Sequence, residues 1–99
     1  MIGTVTDSEI PAGLIALKRD FIETDIALAE LSKTMPSGRA IIAGEAVEDP
    51  ADRARWNVLN DRLGTLAEEI NRHSAFEGLS QKDRYEVDKA ASKAARADL

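Results

Sequence analysis

Apolar side chains recur along the first third of the chain at steps of 4, 3, 4, 3, 4, 3 and 4, through Ile10, Leu14, Leu17, Phe21, Thr24, Leu28, Leu31 and Met35. Thr24 is the one polar member of this heptad seam. Such spacing puts the positions on one stripe of a helix and on alternating faces of nothing else, so it predicts a helix over about residues 8–35. Ser8 suits an N-cap, Glu9 the first turn and Pro11 a position where a missing N–H costs little, while Pro36 ends the run. A second row, Ile15, Ile22, Ile26 and Ala29, follows the flank of the same helix. One partner helix covers one seam, so the second row calls for a third helix of the same chain or for another chain.

A matching seam follows in Trp56, Leu59, Leu63, Leu66, Ile70 and His73, at steps of 3, 4, 3, 4 and 3. Asp49 is placed to cap it, Pro50 to open it and Gly78 to close it in a left-handed conformation, which predicts a helix over about residues 50–77. The two helices are each about 27 residues, roughly 40 Å. Equal lengths and equal seams predict packing along the whole extent, as an antiparallel coiled-coil-like hairpin with Leu31 near a buried Trp56 and Phe21 near Leu66. The linker, residues 36–49, is longer than a hairpin needs and would also permit a parallel pair.

That linker, "PSGRAIIAGEAVED", is not a polar tether. Ile41, Ile42 and Val47 are side chains a disordered loop avoids, so residues 39–47 are expected to be ordered, with Ile41 and Ile42 packed onto the first helix or across a subunit boundary. A third helix is predicted over residues 81–97, opened by Ser80 and Asp83 as a capping-box-like pair. Its apolar content is Val87 and alanines, which favour helix but bury little area, so weak docking is expected. Lys82, Lys89, Lys93 and Arg96 fall on one face of it, either solvated or set against an acidic partner.

Composition narrows the function. The 99 residues contain no cysteine, so disulfides, thiolate metal sites and cysteine nucleophiles are excluded and a reducing cytoplasm is the expected compartment. No apolar run approaches a membrane span, and "MIGTVTDSEIP" lacks the layout of a signal peptide, so no membrane contact is expected. Net charge is −5, which disfavours nucleic acid as a partner, because duplex binding runs on Lys and Arg contacts to phosphate.

Candidate chemistry is thin. His73, the only histidine, has Glu69 and Glu77 four residues to either side on a helix, but the Glu-x-x-His pattern of di-metal bundles is broken by Ile70, so no metal is expected. No serine lies in a nucleophile elbow and no glycine-rich loop cradles phosphate, so neither catalytic residues nor a cofactor are assigned. "LKRDFIETD" faintly resembles the first helix of small all-helical chorismate mutases, yet the seams carry none of the inward Arg and Lys which that family needs, and no family is assigned.

The sequence therefore predicts a single all-α domain: a hairpin of two long helices and a short C-terminal helix, completed as a bundle by oligomerisation. The expected function is a non-enzymatic protein–protein interaction module, self-associating, a small regulator or adaptor, with another protein as a further partner. Its candidate contact residues are Ile15, Ile22, Ile26, Arg39, Ile41, Ile42, Lys89 and Lys93. Two alternatives stand beside it. One is a small enzyme with an intersubunit site that uses Arg39, Arg53, Arg55 and His73 on an anionic substrate. The other is an acidic inhibitor of a basic partner protein.

Overall fold

The structure, a computed structural model, describes residues 10–97 and Leu99. Regular structure among them is helical throughout: α1 (Ala12–Thr34), α2 (Gly38–Ile42), α3 (Pro50–Asn71), a 3-10 turn (Ser74–Phe76) and α4 (Gln81–Ala97). The three longer helices pack against one another, and α1 is the hub, with the principal contacts to both α3 and α4.

Local chemistry sets the boundaries. Pro11 holds φ at −57°, already helical, and its carbonyl accepts the Leu14 and Ile15 amides at 3.0 and 3.2 Å. No side chain caps α1, and the expected capping residues Ser8 and Glu9 lie outside the described residues. At the other end Met35 is extended, as the residue before a proline must be. The first turn of α3 is capped by Asp49, whose carboxylate accepts the Ala51 amide at 2.9 Å.

α3 stops at Asn71, six residues before the expected 77. The cause is His73. Its backbone is extended, and Nδ1 accepts the Ala75 amide at 3.1 Å, so the side chain caps a new turn instead of extending the old helix. That turn swings Phe76 inward, to 6% exposure. Arg84 of α4 then closes the junction: its guanidinium lies 4.6 Å from the Phe76 ring centroid and donates to the Asn71 carbonyl at 3.1 Å. A cation is favourable there, because the last carbonyls of α3 carry its negative dipole end. Gly78, at φ +73°, completes the reversal, and Ser80 Oγ accepts the Asp83 amide at 3.1 Å to open α4.

The dry core sits at this junction. Ile10, Leu14, Ile70, Phe76 and Ala91 are buried together, with Ile15, Leu17, Phe21, Ala75, Val87 and Ala90 packed around them. α4 docks more closely than its composition suggests: Ala91 and Ala95 have no exposed surface, since small side chains let its backbone approach, and Lys18 of α1 pairs with Asp88. Thr24, the polar seam member, is also buried, and its hydroxyl donates to the Asp20 carbonyl at 2.7 Å, so the seam carries no unmet polar group there.

Two approaches can be followed between α1 and α3, and a third between α1 and the residues just beyond α3. The Trp56 indole donates to Ser32 Oγ at 3.2 Å, Arg62 lies 3.7 Å from Asp20, and a Cβ on Gly13 would stand 3.7 Å from His73 Nε2.

Phe76 anchors three elements, so truncating it should destabilise strongly. Phe76→Ala is expected to cost about 3–5 kcal/mol in chemical denaturation, a large share of a small domain's stability. A cost below about 1 kcal/mol would show that the junction holds without the ring.

Candidate interaction surface

The two ends of the molecule differ. At the junction three helices close around the core, but past Thr24 the seam is only partly dry: Leu31 is buried, whereas Leu28, Met35, Trp56, Leu59 and Leu63 are half-buried. Two helices alone shield a single stripe between them and leave its edges wet. Trp56, expected to be buried, is therefore only partly so, with its indole nitrogen bonded to the exposed Ser32.

The second row of α1 crosses from one regime to the other. Ile15 packs against the core, Ile22 is half-buried outside it, Ile26 is 51% exposed and Ala29 is exposed. A parallel row on α3 behaves alike. Ala67 and Asn71 line a cleft of about 140 Å³ with Lys18, Phe21, Ile70 and Asp88, and the same row continues away from α4 to Gly64 and Asn60, both exposed. α4 thus covers one half of a face that α1 and α3 build together.

At the tip, Ser37 Oγ accepts the Ala40 amide at 3.1 Å and starts α2, and Gly44, at φ +74°, ends it. The linker thus begins with one turn of helix, and its later residues are non-helical. It does not pack both isoleucines. Ile41 is half-buried, but Ile42 and Val47 are each 90% exposed, contrary to the expectation that Ile42 lies on the first helix. Neighbours on a helix point about 100° apart, so one turn can direct only one of Ile41 and Ile42 inward.

The cations do not converge within one chain. Arg39 and Arg55 are exposed, and Arg53 is engaged by Glu48 at 2.5 Å and by the Trp56 ring at 5.2 Å. His73 lies twenty residues beyond Arg53, roughly 30 Å along the helix. Lys82, Lys89, Lys93 and Arg96 form an exposed row, and none makes an ion pair with a described residue. No three metal-ligating side chains gather among the described residues. A further open cleft, of about 290 Å³, lies where Asn71, Phe76, Gln81, Arg84, Tyr85 and Asp88 meet.

A family model for a domain of unknown function, DUF8825, matches residues 13–99. The chain belongs to this family. The DUF8825 match runs from the first turn of α1 to the end of the chain, so the junction, the tip and the half-covered face all lie within it. No curated protein and no solved structure matches the chain. No helix among the described residues of this DUF8825 domain is long and apolar enough to cross a membrane.

The heptad pattern does not point to Arg84, Tyr85 or Gly64. The one available signal was Gly64 itself, a glycine inside a helical run.

Because Ile42 is outside the core, Ile42→Ser should leave unfolding free energy within about 0.5 kcal/mol of the parent when measured at low protein concentration. A larger loss there would show that α2 closes onto the helices.

Proposed function

We propose that this DUF8825 chain is a non-enzymatic protein–protein interaction module that self-associates, a small regulator or adaptor. In this reading α1 and α3 form an antiparallel coiled-coil-like hairpin, α4 covers one half of its flank, and a second copy covers the other half to complete a bundle. The antiparallel sense is supported by the order of the approaches, with Ser32 against Trp56, Asp20 against Arg62, and Gly13 against His73 just beyond α3. The cysteine-free sequence fits a cytoplasmic site of action.

The observation that carries self-association is the continuation of the Ile15 row beyond α4, with Ile22 half-buried and Ile26 51% exposed. Burying such side chains is worth about 1.5–3 kcal/mol each, which a solitary chain forgoes. The enzymatic alternative loses support from Arg53, whose guanidinium is already held by Glu48 and Trp56.

Light scattering at tens of micromolar should give at least twice the 10.7 kDa of one chain. Ile22→Glu with Ile26→Glu should return the mass to that of a monomer with helicity retained, because both side chains lie outside the core. A monomeric parent at these concentrations would overturn the reading.

A further inference from the structure

Gly64 has no explanation within its own chain. It lies in the middle of α3, where glycine weakens a helix relative to alanine. Its φ is not positive, and a Cβ built on it would meet nothing within 4 Å. The missing side chain leaves a shallow, open depression on the surface of α3, bordered by Asn60, Asp61, Thr65 and Glu68. Asp61 and Glu68 flank it on the exposed surface, and neither pairs with a described cation. Seven residues separate them, about 10.5 Å along the helix.

α4 presents the complement. Tyr85 is 62% exposed, a large aromatic side chain left mostly in water. Lys82 and Lys89 flank it, again seven residues and about 10.5 Å apart. The inner positions match as well, for Gly64 follows Asp61 by three residues and Tyr85 follows Lys82 by three. With the two helices side by side and pointing the same way, Lys82 meets Asp61, Tyr85 meets Gly64 and Lys89 meets Glu68. Opposite charges meet at both ends, and the largest exposed ring meets the absent side chain. Within one molecule α3 and α4 each pack chiefly on α1, and Tyr85 borders the open cleft at Asn71 and Phe76 with most of its surface left in water.

We infer that the partner is a second copy of this chain, with α4 of one copy laid along α3 of the other and Tyr85 seated over Gly64. This rests on the self-association proposed above and names the surfaces that set its register. Tyrosine suits the role because it brings large contact area for few rotatable bonds, and flanking charges fix register and orientation.

The test uses the full chain in sedimentation velocity, with circular dichroism to establish folding. Lys82→Glu with Lys89→Glu, and separately Asp61→Lys with Glu68→Lys, should each weaken self-association at least about tenfold. An equimolar mixture of the two variants should recover a complex, since the reversed faces again match. Raising salt from about 0.05 to about 0.5 M should weaken the parent complex, because the ion pairs lie at an exposed interface. Gly64→Ala should separate the roles of the glycine: melting temperature rises, while association falls. If the parent associates but both reversed variants associate as tightly, or their mixture recovers nothing, the assigned surfaces are wrong and self-association stands. If Gly64→Ala leaves association unchanged, Tyr85 does not seat there. If the parent is monomeric in every condition, both proposals fall together.

Discussion

Everything in this fold depends on Phe76 turning inward at the meeting point of α1, α3 and α4. The ring lies in one buried cluster with Leu14, Ile70 and Ala91, and Leu14 is the one large side chain among the described residues with essentially no exposed surface. A chain of this length cannot dry two cores, since the fraction of surface it buries is limited by its size. It concentrates its burial at one end. His73 makes this possible by giving its imidazole to the Ala75 amide, and Arg84 holds the result by covering the ring and the last carbonyl of α3. A continuous helix from residue 50 to 77 would have kept the Phe76 side chain on the outside of the turn that now delivers it to the core.

The cost of one good core is a half-covered opposite end. The stripe between α1 and α3 remains apolar there, but no third helix shields its edge, and Ile22 and Ile26 emerge where Ile15 was covered. The proposed self-association would answer this imbalance, because a second copy brings the same unshielded stripe and both are dried together. The tip adds a further exposed apolar element, Ile42 with Val47, held in place by Ser37 and Gly44 and not by packing.

Charge follows the same division of labour. Inside the fold, Lys18–Asp88 and Arg62–Asp20 tie α1 to α4 and to α3. The Arg62–Asp20 pair is largely exposed and contributes little stability, whereas the Lys18 side chain is mostly buried beside Asp88. Among the charges that make no ion pair with a described residue are Asp61 and Glu68 on α3 and Lys82 and Lys89 on α4, opposite in sign and equal in spacing.

The heptad steps determined the helical class and the helix from Pro50, and the Ser80 cap with the alanine-rich run determined the third helix, because periodicity and capping chemistry are local and survive in a bare sequence. The early end of α3 was not legible, since it depends on His73 choosing a backbone amide over a seam position, and that choice is stabilised only by Phe76 burial and by Arg84 arriving from α4. Nor was it legible which isoleucine of the tip would be exposed, or that Ile15 would be covered while Ile26 would not. The coverage of the Ile15 row is set by where α4 docks along α1, and the alanines that allow its close approach carry no periodic signal strong enough to say where. Sequence periodicity specifies which face of a helix is apolar. Only the tertiary structure decides which length of that face is covered, because coverage depends on contacts between residues far apart in the chain.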